Sequence, residues 1–267
     1  MMTPEQVARV AARLADAETR RSQIGLISLE FPDATMDDAY RIQTALVALK
    51  RAAGRAAKGW KIGLTSKAMQ SALNIDIPDS GVLLDDMFFA DSATVPADRF
   101  IQPRVEAEIA FVMKAPLRGL DVAIADVIAA TDFVSPALEI LDTRVRRVDA
   151  ATGKTRTIVD TIADNAANAG IVMGARRLRP HEVDMRWIGA IVSRNGEVEE
   201  TGLGAGVLNQ PAAGIAWLAN RLALYGDGLA AGEVVLSGSF IRPIEARHGD
   251  AFVADFGAYG EVRVAFA

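Results

Sequence analysis

The stretch of this chain that says most about its fold and its site reads PRVEAEIAFV, over residues 103–112. Apolar and acidic residues alternate along it, and this period of two predicts a β-strand. Residues i and i+2 of a strand project from the same face, so Glu106 and Glu108 are expected to lie side by side. The apolar neighbours predict burial of both carboxylates, which is costly unless a cation or a shared proton compensates. A divalent ion such as Mg2+, which prefers oxygen ligands, is the usual compensation.

A third acid bears on the choice between burial and exposure of this pair. The alternative is an edge strand whose outer face carries Glu-x-Glu in water, since exposed glutamates are common. However, Glu139 lies near the centre of the apolar segment 135–141, which also has the character of a strand. A lone glutamate in an apolar run needs a partner. Three acids in two apolar strands therefore predict one shared metal site, made by Glu106, Glu108 and Glu139.

Composition excludes several classes of protein. The 267 residues are 51% hydrophobic, enough for one large domain or for a small domain and a main one. The chain has no cysteine, which excludes disulfides, thiolate catalysis and iron–sulfur sites, and its two histidines, His181 and His248, cannot build a multi-histidine centre. No apolar run approaches the ~20 residues that a bilayer requires, and the N-terminus lacks a signal-peptide pattern. These features predict a soluble, cytoplasmic protein that does not bind membranes and whose site uses oxygen ligands.

The charge distribution points away from nucleic acid and towards an anionic small molecule. The net charge is −5 and no polybasic stretch with interleaved aromatics occurs, so nucleic-acid binding is not expected. One basic cluster follows Glu139 closely and surrounds Asp149. It is either a solvated loop or a mobile cationic lid that attracts an anionic substrate. Its members form the pool of candidate substrate-binding residues: Arg144, Arg146, Arg147, Lys154 and Arg156.

The order of secondary-structure signals divides the chain into two parts. Thr3, Pro4 and Gln6 form a capping-box helix start, and a second helix is predicted to begin after Thr35 and to end near Gly54. These helices predict an N-terminal helical segment, residues 1–58. The remainder, residues 59–267, is predicted to be a β-rich, metal-binding catalytic domain.

Within the β-rich part, short apolar runs predict strands and Gly/Pro/Asn clusters predict turns. Asn195-Gly196 predicts a hairpin, Pro78–Gly81 a turn, Ser66 a helix cap for residues up to 73, and Pro211 a helix start. The glycine-rich run 202–206 does not open a βαβ unit and is not interpreted as a dinucleotide motif. The predicted strands are 60–64, 82–84, 104–113, 135–141, 170–173, 187–193, 234–236, 252–254 and 262–266.

Four motifs together resemble the hydratase and decarboxylase branch of the fumarylacetoacetate hydrolase superfamily. They are GWKIGLTSKAMQ (59–70), PRVEAEIAF (103–111), PALEI (136–140) and DNAAN (164–168). The resemblance runs nearly end to end and implies an α+β fold, a mixed β-roll or sandwich core of the family's C-terminal-domain type with an N-terminal helical segment. It also implies that the three glutamates bind Mg2+ or Mn2+. Superfamily hydrolases use a His-Glu pair, and neither histidine here lies in a matching motif, which disfavours carbon–carbon bond hydrolysis.

The resemblance implies a hydro-lyase, a metal-dependent hydratase that adds water to a seven-carbon 2-oxo-dicarboxylic acid. Two enzymatic alternatives share the metal motif: hydration of a five-carbon dienoic monoacid, and decarboxylation of a vinylogous oxo-diacid. A non-enzymatic alternative is a metal-stabilised binding or partner subunit, since hydratase and decarboxylase can associate in such pathways. A homo-oligomer and an association with a neighbouring pathway enzyme are further expectations.

Two residues are candidates for general acid–base catalysis beside the metal. Lys61 lies between Trp60 and Ile62, an apolar setting in which desolvation is expected to lower its pKa. Its alternative role is a strand lysine that extends its amine to solvent. Asp79, in the predicted turn, is the second candidate, and its alternative is an ordinary turn acid. The substrate's distal carboxylate is expected to bind an arginine of the basic pool, because the planar fork can donate two hydrogen bonds.

Overall fold

The computed structural model describes residues 1–66, 70, 77–96 and 98–267. Of the helix predicted from Ser66 to residue 73, residues 67–69 and 71–73 lie outside the described residues, so this helix stays a prediction. The helices are α1 (Pro4–Arg20), α2 (Ile27–Glu30), α3 (Met36–Ala52), α4 (Ile124–Ala130), α5 (Ile158–Ala163) and α6 (Pro211–Ala223). The strands are β1 (Ala57–Gly63), β2 (Asp79–Leu84), β3 (Phe88–Phe89), β4 (Ala93–Val95), β5 (Arg104–Met113), β6 (Thr131–Leu141), β7 (Asn168–Met173), β8 (Gly189–Arg194), β9 (Glu197–Leu203), β10 (Val234–Leu236), β11 (Ile244–Glu245), β12 (Ala251–Asp255) and β13 (Glu261–Phe266).

The two long N-terminal helices begin where their caps predict. The Thr3 hydroxyl accepts from the Gln6 amide while the Gln6 side chain accepts from the Thr3 amide, so two free amides of the first turn are satisfied. Thr35 and Asp38 form the same arrangement at the start of α3. The apolar faces of α1 and α3 pack with α5 in one cluster. The helical segment is therefore anchored to the β-rich part, which begins at Ala57; the division into domains at residue 58 stays a prediction.

The described strands of the β-rich part form two sheets. The first is mixed, in the order β2-β1-β10-β5-β6-β7-β3 with β11 also paired to β5; the second has the order β4-β13-β12-β8-β9. Their inner faces and α6 enclose one apolar core, to which Phe111 of β5, Leu138 of β6, Phe252 of β12 and Ile215 of α6 contribute. The predicted α+β fold, with a mixed-sheet core and a helical N-terminal segment, is confirmed.

Strand β5 follows the predicted alternation along its full length. Val105, Ala107 and Ile109 face the core between the sheets, so Glu106 and Glu108 share the opposite face. The predicted hairpin at Asn195-Gly196 is also confirmed, joining β8 to β9 through two residues of positive φ.

The predicted turn at Pro78–Gly81 is wrong, because these residues lead into strand β2. Asp79 pairs with Gly63 at the end of β1, and Pro78, which has no amide hydrogen to donate, precedes the strand. Gly81 is explained by close approach, since a Cβ there would lie 2.4 Å from the carbonyl oxygen of Asn165. The composition typical of a turn thus serves a tightly packed strand.

No helix in the described part of the chain is both long and apolar enough to cross a lipid bilayer.

Candidate metal centre and active-site cavity

Strands β5 and β6 bring the three glutamates together. They pair antiparallel with Glu106 directly opposite Glu139, while Glu108 follows two residues later on the same face. One carboxylate oxygen from each residue lies within 4.8 Å of the others. Glu108 and Glu139 are fully buried and Glu106 is half-buried. The geometry is that of a small cluster whose acidic oxygens converge on one point.

The acid cluster lacks internal compensation for its charge. Burial, together with repulsion from Glu139, raises the pKa of Glu106 to about 8, and the same causes raise the pKa of Glu108 well above its usual range. One oxygen of Glu108 accepts from the Gly238 amide at 2.8 Å. Its other oxygen and both oxygens of Glu139 make no hydrogen bond with the described residues, although Oε1 of Glu139 forms an ion pair with Lys61. Buried, unsatisfied carboxylate oxygens fit a divalent cation with oxygen ligands.

Lys61 reaches into this cluster from β1. Its Nζ lies 3.3 Å from Oε1 of Glu139, and the side chain is 4% exposed. Burial alone lowers the pKa of Lys61, but the charge of Glu139, followed by that of Asp79, outweighs burial and raises the pKa above its usual value. The expectation of a lowered pKa is therefore wrong for the metal-free protein. The sequence neighbours of Lys61 are apolar, but its side-chain amine lies among acids, and these acids determine the direction of the pKa shift.

Asp79 stands beside Lys61 at the start of β2. It is buried, and burial raises the pKa of its carboxyl against the opposing charges of Lys61 and Arg156. Gly63 permits the approach: a Cβ there would lie 2.2 Å from Oδ1 of Asp79 and 3.2 Å from Nζ of Lys61. The interpretation of Asp79 as an ordinary turn acid is wrong, because its carboxyl faces the acid cluster and not solvent.

These groups line one cavity of about 560 Å³. Its charged wall carries Lys61, Asp79, Glu106, Glu108 and Arg156; its other walls include hydroxyl groups and apolar side chains such as Thr161, Ser239, Leu141 and Ile241. A larger groove of about 830 Å³ lies elsewhere, along β8 and β9, but Asp255 is the one carboxylate among its described lining residues. The smaller cavity is the better candidate site, because it combines the acid cluster with cations.

Of the five basic candidates, Arg156 is the one that lines this cavity. Arg146 and Lys154 are exposed, and Arg147 is half-buried with its Nη2 3.4 Å from the Gln102 carbonyl. Arg144 is buried and forms an ion pair with Asp164. The five do not act as one cationic surface, because successive positions face different surroundings.

The segment that carries these residues, for which a solvated loop and a mobile cationic lid were both considered, contains a hydrogen-bonded turn. Backbone bonds join the Asp149 amide to the Lys154 carbonyl at 2.9 Å and the Arg156 amide to the Arg147 carbonyl at 2.9 Å. The Asp149 carboxylate also accepts from the Thr152 amide at 2.9 Å, and Gly153 has φ +69°. Asp149, Thr152 and Gly153 are typical turn residues. An interpretation based on charge alone does not predict this turn.

Arg144 forms a buried ion pair with Asp164. Its Nε and backbone amide donate to the two carboxylate oxygens at 2.5 and 2.8 Å, and its Nη2 donates to the Asp164 carbonyl. This pair holds a left-handed turn in which Asn165, Ala166 and Ala167 have φ between +52° and +56°. Ala166 and Ala167 line the cavity, so Arg144 shapes the site without reaching it.

We expect Arg144→Met to lower the free energy of unfolding by ~3–5 kcal/mol, because it leaves Asp164 buried without its partner. Denaturant unfolding measures the loss. The control is Arg186→Met, which breaks an exposed pair with Asp184 and is expected to change stability little. Equal losses in the two variants would show that the buried pair is not a major support of the fold.

This chain is similar in sequence and in structure to enzymes of known activity. A family model described as fumarylacetoacetate (FAA) hydrolase C-terminal matches residues 55–267. A 2-oxo-hept-4-ene-1,7-dioate hydratase of Escherichia coli is 54% identical over 257 residues, 96% of each chain. A 2-keto-4-pentenoate hydratase of Paraburkholderia xenovorans is 38% identical over 265 residues, 99% of this chain and 96% of the relative. The solved structure of a Pseudomonas putida 4-oxalocrotonate decarboxylase with magnesium and adipate superimposes with a TM-score of 0.94 at 34% identity, covering 100% of this chain and 99% of that one.

Proposed function

Because this chain belongs to the fumarylacetoacetate hydrolase family, we propose that it is a divalent-metal-dependent hydratase of aromatic catabolism, which adds water to 2-oxo-hept-4-ene-1,7-dioate to give 4-hydroxy-2-oxoheptanedioate. The relative of that name is 54% identical along nearly the whole chain, and the pentenoate hydratase is a more distant match. The observation that carries the proposal is one cavity in which a buried acid cluster, a lysine–aspartate pair and an arginine face each other.

Glu106, Glu108 and Glu139 are the proposed ligands of the metal. Mg2+ is the proposed ion and Mn2+ the second choice; solved relatives contain magnesium, calcium or manganese. When bound, the ion supplies Lewis-acid stabilisation of the negative charge that develops on the substrate's 2-oxo oxygen. The orphaned oxygens of Glu108 and Glu139 support this assignment, since a hard cation satisfies them.

Lys61 and Asp79 are the proposed proton carriers. Hydration of the C4=C5 bond places a hydroxyl on C4 and a hydrogen on C5, so the attacking water must lose a proton and the carbon chain must gain one at C5, and a base and an acid are both needed. The two side chains line the cavity beside the acid cluster and are buried, which keeps them from exchanging protons freely with bulk water. Their juxtaposition at Gly63 allows one to compensate the charge of the other as a proton moves.

Arg156 is the proposed partner of the distal carboxylate. It is half-buried, lines the cavity and makes no ion pair with any carboxylate in the described part of the chain. Among the described residues its guanidinium donates one hydrogen bond, to the Thr143 hydroxyl at 3.1 Å, although a guanidinium carries five N–H donors. A half-buried cation with free donors fits a ligand that brings a second carboxylate.

Self-association, a neighbouring pathway enzyme as partner and a cytoplasmic location stay predictions.

We expect Arg156→Met to raise KM for the seven-carbon diacid by roughly 10- to 100-fold, the equivalent of ~1.5–3 kcal/mol for a hydrogen bond to a charged group. KM for the five-carbon monoacid should change little, because it has no distal carboxylate. Steady-state kinetics on both substrates measure the difference, with the exposed Arg20→Met as control. Equal kinetics of the unmodified protein on diacid and monoacid would favour the pentenoate hydratase instead.

The reaction class is tested by incubating the protein and Mg2+ with the 2-hydroxy-dienoic form of the diacid. A hydratase removes the conjugated absorbance without releasing gas, and this is the expected result. A decarboxylase releases one carbon dioxide per substrate consumed, and a binding or partner subunit does neither. Release of carbon dioxide in step with the loss of absorbance would replace the hydratase by a decarboxylase like the relative that superimposes on this chain.

A further inference from the structure

We propose that Thr143 is a positioning residue for substrate recognition, because its hydroxyl fixes the guanidinium of Arg156 at the cavity wall. The inference rests on the proposed function, since it requires that Arg156 bind the distal carboxylate. It assigns a role to a residue that does not line the cavity and whose side chain is fully buried.

The Thr143 hydroxyl lies between the cavity arginine and the backbone. Its Oγ1 donates to the Val145 carbonyl at 2.6 Å and accepts from Nη1 of Arg156 at 3.1 Å. With its hydrogen directed to Val145, the oxygen keeps lone pairs for the arginine. The hydroxyl is the one hydrogen-bond acceptor that the guanidinium of Arg156 has among the described residues, so the orientation of the guanidinium depends on it.

Arg156 has charges of both signs around it. Burial and Arg104 disfavour its charged form, while nearby acids such as Asp164 and Asp79 favour it. Arg104 lies close enough to oppose its charge, as it also does for Arg147, and burial together with these like charges lowers the pKa of Arg147 to about 10. The three arginines make no ion pair within the part of the chain that the structure describes. Long cationic side chains in such a position turn their charged ends towards water. Because no carboxylate of the described residues pairs with Arg156 directly, the fixed hydroxyl acceptor is the contact that orients its guanidinium among these charges.

The anchor is itself held in place. Threonine is β-branched and restricted at χ1, and Oγ1 of Thr143 is also 3.2 Å from Oδ2 of Asp164. Asp164 is fixed by its buried ion pair with Arg144. A continuous set of contacts therefore runs from the buried pair through Thr143 to the cavity. One edge of Arg156 is used by this contact, and its remaining donors are left for a carboxylate.

The test is Thr143→Val, which replaces the hydroxyl by a methyl group of similar size. KM for the diacid is expected to rise by roughly 3- to 10-fold, the equivalent of one lost hydrogen bond, while kcat and the KM for the monoacid stay near their original values. Thr143→Ser keeps the hydroxyl and is expected to retain most of the diacid affinity, and it remains informative if the valine variant fails to fold.

The matched control is Thr131→Val. Thr131 is also fully buried and donates to a backbone carbonyl, that of Val127 at 2.7 Å, but it does not line the cavity. Its loss should lower the melting temperature without changing the diacid-to-monoacid ratio of KM. If Thr143→Val changes this ratio no more than Thr131→Val does, or raises KM for both substrates alike, Thr143 has only a structural role.

A double-mutant cycle separates the inference from the proposed function. When Arg156→Met is already present, adding Thr143→Val should have no further effect on KM for the diacid, because the two residues act through one contact. Additive effects would show that Thr143 does not act through Arg156. If Arg156→Met alone leaves KM for the diacid unchanged, the distal-carboxylate site itself is wrong, and the role of Thr143 falls with it.

Discussion

Glutamine at position 106, 108 or 139 is expected to weaken divalent-ion binding by on the order of 100-fold or more, because each change removes one anionic oxygen ligand from a carboxylate-only site. Isothermal calorimetry with Mg2+ and with Mn2+ measures the loss independently of activity. Hydratase turnover is expected to fall with it. The control is Glu197→Gln, an exposed position on β9 that lies outside the cavity.

The metal-free protein offers a second readout with the opposite sign. Burial and neighbouring acids raise the pKa of Glu108 well above its usual range, so its ionised form lowers stability at pH values above the unfolded-state pKa. Glu108→Gln removes that ionisation and is expected to raise the unfolding temperature of the metal-free protein at neutral pH. Full retention of metal affinity in all three glutamine variants would show that the acid cluster is not the metal site.

Lys61→Met is expected to lower kcat by on the order of 10²–10⁴, the usual worth of a general acid–base group. Metal binding should be unchanged or tighter, since the ammonium group 3.3 Å from Glu139 competes with a cation for that carboxylate. Turnover and calorimetry together separate the two effects. The control is Lys58→Met, an exposed lysine three residues earlier on β1. Near-normal turnover of Lys61→Met would leave Lys61 a structural role only.

The period of two in the sequence explains why the acid cluster could be predicted before the structure was known. Alternation on β5 fixes the face of Glu106 and Glu108, and the apolar run around Glu139 predicts its burial. Alternation does not fix the offset between two strands, so the pairing of Glu106 with Glu139 came only from the structure. The expectation that the two strands lie together came from the need of three buried acids for one compensating cation, and the resemblance to the family agreed with it.

The basic pool shows what local composition cannot reveal. Arg144 and Arg156 carry the same charge on the same segment, but one is buried against Asp164 and the other lines the cavity. What distinguishes them is a partner twenty residues away from Arg144 in the chain, which no local pattern identifies. Likewise, the pKa of Lys61 depends on Glu139 and Asp79, which are distant in sequence.

The turn assigned at Asp79 has a related cause. Pro78 and Gly81 are typical turn residues, but here one precedes a strand and the other permits the backbone of Asn165 to approach β2. A glycine in a turn and a glycine that permits close backbone approach look the same in the sequence. Only tertiary contacts distinguish them. The burial of Asp79 beside Lys61 therefore could not be predicted from its immediate neighbours.

The proposed metal centre is tested most directly by crystals of the protein grown or soaked with Mn2+, from which an anomalous difference map locates the ion without any assumption about activity. The expected result is a peak bound by carboxylate oxygens of Glu106, Glu108 and Glu139, at ~2.0–2.2 Å from them as hard oxygen ligands require, and facing the cavity that Arg156 lines. A map with manganese bound elsewhere, and none among these three carboxylates, would contradict the metal-dependent mechanism proposed for this site.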